Sequence, residues 1–209
     1  TFGLVPYTGI AGLESTIDTT GPMTATVADN ALLLEVIAGP DGIDSRQRDV
    51  RLARYTEALD KDIAGLRIGI VKEGFGHPNS EPDVDAKVRA AAQRFADLGA
   101  TVAEVSVPLH LLGFPVWAGV RNDSCTITFL ETNGAGTGSE GLYVPSLGEA
   151  AGRWRGRADE FVDTVKIACL FGKYTFDRYG GHYYGKAQNL RRRLRAAYDA
   201  ALQSYDLLL

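Results

Sequence analysis

The chain has 209 residues, of which 45% are hydrophobic and 23% charged, and its formal net charge is −4. These ordinary globular values allow one sizeable domain, and the weak negative charge argues against nucleic acid as the main partner. No apolar run approaches the roughly 18 residues that a membrane span needs. The two cysteines, Cys125 and Cys169, have neither metal nor redox spacing, which indicates packed thiols in a reducing, cytoplasmic environment.

The first clear element is a helix over residues 27–38, where apolar side chains recur at helical spacing. Thr24 or Thr26 offers an N-cap oxygen in front of this helix. Gly39 stands where a left-handed C-cap residue belongs, and Pro40 prevents the helix from continuing. The pattern therefore predicts a capped helix that is mainly apolar.

Three acidic residues, Asp18, Asp41 and Asp44, lie in turns on either side of this helix. A short carboxylate in such a turn accepts hydrogen bonds from nearby backbone N–H groups and fixes the path of the chain. We therefore interpret these three residues as turn and cap residues rather than as catalysts.

A strand, a helix and a second strand follow in the segment 66–108. Residues 66–71 form a short β-rich run, and Ser80 is predicted to cap a helix whose apolar spacing ends at Gly99. Residues 101–107 read as the second strand. This order predicts a right-handed βαβ unit, and hence an α/β fold with a mixed, mainly parallel sheet flanked by helices.

The periodic pattern is lost over residues 109–145, where glycine, asparagine, threonine and isolated aromatic residues dominate. Within this region, residues 125–130 resemble a short strand. A second long helical pattern begins near Ser146 and runs to Ala168. After a glycine-containing loop, a third helix is predicted from Ala187 onwards, with its apolar side chains on one face.

A glycine-rich string at residues 136–141 matches G-x-G-x-x-G, the pattern of dinucleotide-binding loops. Such a loop must open a helix, because the helix N-terminus and its free N–H groups bind the pyrophosphate. Pro145 intervenes here, and the next helix begins only near Ser146. We therefore interpret the string as a surface or pocket-lining loop.

The remaining polar residues form no recognisable catalytic or metal motif. The three histidines are scattered among loops, and the sequence has neither a G-x-S-x-G nucleophile elbow nor metal-ligand spacing. The arginines at positions 191–193 and 195 lie off the apolar stripe of their helix. This basic cluster is therefore predicted to be a solvated face.

Residues 114–123 carry aromatic and amide side chains in what reads as irregular backbone. Small-molecule sites combine aromatic walls with a few polar groups that fix the ligand's orientation. Phe114, Trp117 and Asn122 are therefore our candidate substrate-binding residues, and the alternative is that the aromatic side chains simply pack within a loop.

Several separated blocks of the sequence resemble the amidase signature family in their order and spacing. These blocks are residues 1–5, 15–44, 66–108, 184–187, 191–194 and 205–208. The likeness extends over nearly the whole chain. Within the family, the sequence most resembles bacterial amidases of broad or enantioselective action.

The resemblance implies a partial amidase-signature fold in three parts. Residues 1–108 and 182–209 would belong to the α/β core, and residues 109–181 to the variable region that shapes the substrate pocket in this family. The chain departs from the family pattern at Ala25, where an arginine is common. That arginine would anchor nearby carboxylates such as Asp18.

Members of the family use a serine nucleophile, a second serine in a cis peptide, and a lysine that relays a proton through it. Backbone N–H groups of a Gly-Ser-rich loop stabilise the oxyanion. All of these groups precede the segment that matches Thr1, and Ser15 and Thr16 fall downstream of the loop. The resemblance therefore implies that this chain holds no catalytic residue, and that the reaction uses no metal and no organic cofactor.

We expect an internal-to-C-terminal portion of an amidase that hydrolyses carboxamides to a carboxylate and ammonia, and that is inactive alone. The parent is expected to be a cytoplasmic homodimer acting on a small-molecule amide, with no nucleic-acid or membrane partner. Two alternatives stay open. One is the amidotransferase subunit of the same family, which passes ammonia to a charged transfer RNA. The other is a non-catalytic α/β binding module.

Overall fold

The computed structural model describes residues 2–136 and 140–209. The chain divides into two compact units, each built from two separate segments. The first unit comprises Thr1–Lys61 and Gly119–Tyr184, and the second comprises Asp62–Ala118 and Gly185–Leu209. None of the helices described has both the length and the apolar character that crossing a membrane would demand. The three-part division at residues 108 and 181 stays a prediction.

A small parallel sheet forms the centre of the second unit. Its strands are β1 (Arg67–Val71), β2 (Thr101–Val105) and β3 (Leu207–Leu208), in the spatial order β2-β1-β3. Arg67 pairs with Thr101, and Ile68 pairs with Leu207, both in parallel register. Helix α2 (Pro82–Asp97) connects β1 to β2. The predicted α/β class and its parallel βαβ unit are confirmed.

Strand β2 ends two residues earlier than the sequence predicted. The Glu73 carboxylate, just beyond β1, accepts hydrogen bonds from Ser106 Oγ at 2.5 Å and from the Val107 N–H at 2.7 Å. These contacts bind the groups after Val105 to a side chain instead of to the neighbouring strand. The strand therefore ends at Val105, because the groups that follow donate to the Glu73 carboxylate and not to the neighbouring strand.

The predicted N-cap of α2 is wrong by one position. Glu81 is the residue before the helix, and the helix begins at Pro82, whose fixed φ suits a first helical residue. Ser80 Oγ donates instead to the His77 carbonyl at 2.9 Å. Ser80 therefore closes the preceding turn and does not cap the helix.

The first unit is built from helices and loops. Its elements are α1 (Val27–Ile37), a π-helical segment (Thr126–Glu131), α4 (Pro145–Ala151) and α5 (Asp163–Tyr179). Helices α3 (Gly113–Cys125) and α6 (His182–Ala201) each contribute residues to both units. The predicted helices at residues 27–38 and from Ala187 onwards are therefore confirmed.

Helix α1 begins as its sequence predicted and ends differently. Thr26 Oγ1 accepts the Asp29 N–H at 3.1 Å, which identifies Thr26 as the N-cap. At the other end, Gly39 has a φ of +130°, which glycine tolerates but which lies outside the left-handed helical region. Its N–H donates to the Leu4 carbonyl at 2.9 Å, so a long-range bond replaces the predicted left-handed cap.

The long helix predicted from Ser146 to Ala168 is wrong. Helix α4 ends at Ala151, two short 3₁₀ turns follow, and α5 begins only at Asp163. The apolar spacing that suggested one helix comes from an aromatic cluster. The Trp154 and Phe161 ring centroids lie 6.1 Å apart, and those of Phe161 and Phe129 lie 6.0 Å apart.

The irregular backbone predicted over residues 109–145 is wrong for residues 113–131, and the short strand predicted at residues 125–130 is wrong. The described residues 132–136 and 140–144 lie outside any helix or strand, as predicted. Helix α3 and the π-helical segment occupy residues 113–131. Their buried side chains include several polar groups: Asn122, Asp123, Ser124, Thr126 and Thr128. Because hydrogen bonds satisfy buried polar groups of this kind, such helices lack the apolar periodicity that sequence analysis depends on.

The core of the first unit centres on Cys125, Ala168 and Cys169. Both cysteines are free thiols, and burial raises their pKa values, that of Cys125 to about 11. Thr126 Oγ1 donates to the Cys169 carbonyl at 2.8 Å. Near this bond, Gly172 of α5 lies so close to α3 that an added Cβ would stand 2.0 Å from the Asn122 carbonyl oxygen. The packed thiols predicted from the sequence are confirmed.

Candidate functional site

A cleft of about 600 Å³ lies within the first unit. Its walls include residues 7–15, 44–46 and 48, the C-terminal part of α3, residues 140–145, and single side chains of α5 and α6. Clefts of roughly 300–1,000 Å³ are typical of small-molecule sites. This cleft is therefore the candidate functional site of the unit.

Asp18 fixes the loop that forms one wall of the cleft. Its Oδ2 accepts hydrogen bonds from the backbone N–H groups of Leu13 at 2.6 Å and Glu14 at 2.9 Å. A carboxylate that accepts two adjacent N–H groups holds a turn in one conformation. The prediction that Asp18 is a turn residue is confirmed.

Asp41 and Asp44 fix the second wall in the same way. Asp41 Oδ1 accepts the N–H groups of Ile43 and Asp44, both at 2.9 Å. Asp44 accepts the Tyr7 N–H at 2.9 Å and the Arg46 N–H at 3.0 Å. It also receives two guanidinium bonds, from Arg46 Nε at 2.8 Å and from Nη2 at 2.7 Å. Both carboxylates are thus turn residues, as predicted.

Arg46 is the cation that links the loops of Asp44, Asp18 and Tyr7. Its side-chain hydrogen bonds hold the pKa of the Asp44 carboxyl well below its usual range. Its Nη1 donates to the Asp18 carbonyl at 2.9 Å, and the guanidinium carbon lies 4.7 Å from the centre of the Tyr7 ring. Arg46 therefore anchors the carboxylate of Asp44 and the backbone carbonyl of Asp18, whereas the Asp18 carboxylate is held by backbone N–H groups.

Glu14 joins three parts of the cleft wall. Its Oε2 accepts a hydrogen bond from Ser124 Oγ of α3 at 2.6 Å. Its Oε1 accepts from the Tyr184 hydroxyl of α6 at 3.2 Å and from the Thr16 N–H at 3.1 Å. Sequence analysis missed Glu14, because it belongs to no motif and its partners Ser124 and Tyr184 are distant in sequence.

We expect that replacing Glu14 with alanine lowers the free energy of unfolding by about 1–2 kcal/mol, because a shared acceptor inside the wall is lost. The measurement is urea denaturation at pH 7. The Glu14→Gln variant keeps a side-chain carbonyl acceptor and should lose less. Equal denaturation midpoints for Glu14→Ala and the wild type would contradict this role.

Asp123 is a buried carboxyl at the edge of the cleft. Only 3% of the residue is exposed, and its Oδ1 accepts a hydrogen bond from Thr175 Oγ1 at 2.8 Å. Burial raises the pKa of the Asp123 carboxyl, and the bond from Thr175 offsets part of this effect. Sequence analysis missed Asp123 as well, since buried helical polar residues carry no local signal.

The structure places the three predicted substrate-binding residues on helix α3 and not in irregular backbone. Phe114 and Trp117 belong to the second unit, are exposed, and have ring centroids 5.7 Å apart. Asn122 belongs to the first unit, is buried, and accepts a hydrogen bond from Arg121 Nη2 at 2.8 Å. Substrate binding by these three residues stays a prediction.

The glycine-rich string at 136–141 falls partly outside the described residues, because positions 137–139 are not among them. Of the rest, Gly136 donates its N–H to Thr132 Oγ1 at 2.8 Å, and both Gly136 and Gly141 line the cleft. The next helix, α4, begins at Pro145.

Two of the histidines form hydrogen bonds within the second unit, and most arginines of the basic cluster are exposed to solvent. In the second unit, His77 Nε2 contacts the Glu73 carbonyl at 2.8 Å, and His110 Nδ1 contacts the Tyr198 hydroxyl. Across residues 2–136 and 140–209, no three His, Cys, Asp or Glu side chains converge as ligands for a metal ion. Arg192, Arg193 and Arg195 are exposed on α6, as predicted for a solvated face, whereas Arg191 of the same cluster is half-buried.

The sequence matches the family model described as Amidase over residues 1–209. It is 42% identical over 211 residues to an enantioselective amidase of Rhodococcus rhodochrous, covering all of this chain and 40% of that protein. It is 36% identical over 210 residues to a glutamyl-tRNA(Gln) amidotransferase subunit of Synechococcus sp. (strain RCC307), covering all of this chain and 43% of that protein. The chain thus spans about two fifths of the length of these curated relatives.

Solved structures share the fold at low sequence identity. A protein from a vestigial complex related to the origins of an s-triazine catabolic enzyme has a TM-score of 0.72 at 24% identity, with all of this chain and 39% of that chain aligned. A glutamyl-tRNA(Gln) amidotransferase subunit of Thermotoga maritima has a TM-score of 0.67 at 21% identity, over 98% of this chain and 39% of that one. A bacterial aryl acylamidase of the amidase signature family has a TM-score of 0.67 at 18% identity, with 99% of this chain and 39% of that chain aligned.

Proposed function

Because this chain belongs to the amidase family, we propose that it is part of an enzyme that hydrolyses carboxamides to a carboxylate and ammonia. The observation that carries the proposal is the family match over residues 1–209. The cleft in the first unit supports it, since its volume of about 600 Å³ suits a small-molecule amide.

In the net proposed reaction, the carbon–nitrogen bond of the amide breaks, the nitrogen leaves as ammonia with hydrogen taken from water, and the water oxygen ends on the carboxylate carbon. Water is the only co-reactant that this balance requires. We assign to this chain the α/β scaffold around the parallel sheet and a wall of the substrate pocket. The serine nucleophile, its partner serine and the lysine would come from a preceding segment of a longer protein.

We expect the purified 209-residue chain to release no ammonia from aliphatic or aromatic amides, because the groups that form and stabilise the tetrahedral intermediate would be missing. The assay is ammonia release from acetamide and benzamide, with circular dichroism to establish that the chain is folded. The full-length protein from the same gene is the positive control. Turnover by the folded 209-residue chain would overturn the assigned role.

The relatives described as glutamyl-tRNA(Gln) amidotransferase subunits favour one second candidate. In that case the ammonia would pass to a charged transfer RNA, and glutamine would be the preferred amide. Kinetics of the full-length protein separate the two functions. Hydrolysis of simple amides by the protein on its own supports the amidase, whereas activity restricted to glutamine and dependent on a partner supports the amidotransferase.

A further inference from the structure

Asp123 is a buried carboxyl that accepts one side-chain hydrogen bond, from Thr175. It lies in the last turn of α3, is only 3% exposed, and borders the cleft of the first unit. A buried carboxylate is costly unless hydrogen bonds and an opposite charge compensate for the lost water. The groups around Asp123 therefore indicate which kind of ligand group its carboxyl would bind.

The hydrogen bond that Asp123 receives is a shared one. Thr175 Oγ1 lies 2.8 Å from Asp123 Oδ1, 3.0 Å from the Gly172 carbonyl and 3.1 Å from the Phe171 carbonyl. A threonine hydroxyl has one proton to donate, so these three acceptors compete for it. In the parts of the chain that the structure describes, no lysine or arginine forms an ion pair with Asp123.

The neighbouring hydroxyls of the cleft already donate to other protein groups. Ser124 Oγ lies 2.6 Å from Glu14 Oε2, and Thr128 Oγ1 donates to the Leu13 carbonyl at 2.9 Å. Asp123 is therefore a carboxyl that can accept further hydrogen bonds, at the edge of a cleft where the hydroxyls of Ser124 and Thr128 donate to other groups. The chemical group that complements it is a positively charged N–H donor.

We propose that Asp123 determines substrate specificity by binding the ammonium group of a carboxamide that also carries an amine, such as an amino-acid amide. This inference rests on the proposed amidase function. The substrate ammonium supplies the cation that the buried carboxyl lacks, and the pairing favours the ionised carboxylate against the effect of burial. An amide without the amine brings no cation to Asp123.

The test uses the full-length protein and two substrates that differ only in the amine, phenylalaninamide and 3-phenylpropionamide. The measured quantity is the preference, the ratio of their kcat/KM values. We expect Asp123→Asn to lower this preference by roughly 10- to 100-fold, the effect of losing a charge-assisted hydrogen bond in a buried site. The control is Asp163→Asn on α5, whose side chain is 93% exposed and which should leave the preference unchanged.

An unchanged preference in Asp123→Asn, with both substrates slowed equally, would overturn the proposal and leave Asp123 a structural residue. A binding measurement on the wild type decides the question independently of how the variant folds. Thermal stabilisation by 2-phenylethylamine should reach half its maximum at a concentration at least tenfold lower than for the neutral 2-phenylethanol. Equal half-maximal concentrations for the two compounds would overturn the ammonium site. A wild-type protein that hydrolyses no amide, but is stabilised at a lower concentration of the amine than of the alcohol, would overturn only the proposed function.

Discussion

Replacing Gly172 with alanine is expected to lower the free energy of unfolding by about 3 kcal/mol or more, at the upper end of what overpacking costs. The new Cβ would stand 2.0 Å from the Asn122 carbonyl oxygen, 2.5 Å from its carbonyl carbon and 2.6 Å from Thr126 Oγ1. The first two atoms are backbone, so no side-chain rotation relieves the clash. Helices α3 and α5 would have to separate, in a core that is packed as densely as an organic crystal.

The matched control is Gly185→Ala, also inside a helix. A Cβ added at Gly185 meets no atom within 4 Å, and alanine is favoured over glycine in a helix by about 1 kcal/mol. The measurement is urea denaturation followed by far-ultraviolet circular dichroism. Gly185→Ala should unfold at the wild-type midpoint or above, and Gly172→Ala well below it. A Gly172→Ala midpoint equal to that of the control would refute the close contact.

The second large effect is expected for Asp44→Asn, at about 3 kcal/mol of stability near pH 7. Only 6% of the Asp44 side chain and 14% of the Arg46 side chain are exposed. Neutralising Asp44 leaves a guanidinium that is largely shielded from solvent without this counter-charge. The amide also replaces one acceptor oxygen of the two-bond fork with a donor, which faces the N–H groups of Arg46.

The pH dependence follows from the direction of the pKa shift. Arg46 holds the pKa of the folded Asp44 carboxyl below the value of about 3.9 in the unfolded chain. The unfolded state therefore binds more protons as the solution is acidified, and the stabilisation is fully present above about pH 5. It is lost as the pH falls through the folded pKa. Between pH 5 and pH 3 the difference between wild type and Asp44→Asn should narrow by roughly 1 kcal/mol.

Asp206→Asn is a matched comparison for the effect of burial. Asp206 forms the same two-bond fork with Arg67, at 3.1 and 2.7 Å, but 38% and 49% of the two side chains are exposed. Because solvent screens exposed ion pairs, its denaturation midpoint should shift less than that of Asp44→Asn. A larger shift for Asp206→Asn would show that burial does not set the strength of the Asp44 pair.

Local signals made much of the scaffold predictable. The apolar spacing and the Thr26 cap identified α1, and the two β-rich runs around an apolar helix identified the parallel βαβ unit. Turn chemistry was equally informative, since Asp18, Asp41 and Asp44 all accept backbone N–H groups. In each case the residue and most of its partners lie close together in the sequence or repeat with a regular period.

The parts that could not be predicted depend on contacts between distant residues. Helix α3 and the π-helical segment after it were predicted to be irregular because Asp123, Ser124 and Thr126 are buried polar residues, whose partners lie up to 110 positions away. The break between α4 and α5 was missed because Trp154 and Phe161 keep a helical spacing while packing against each other outside a helix. Glu14 and Asp123 were missed as cleft residues for the same reason, since folding alone brings their partners to them.

The parallel sheet implies an order of folding. Glu73 and Val107, which follow the adjacent strands β1 and β2, are 34 positions apart, whereas Arg67 and Asp206, at the pairing of β1 with β3, are 139 positions apart. Closing the longer loop costs about 1 kcal/mol more in chain entropy. Strand β3 offsets this entropy cost with strand pairing over only two residues, Leu207–Leu208. The βαβ unit should therefore assemble early, and β3 should dock late, once the intervening chain has been synthesised and has folded.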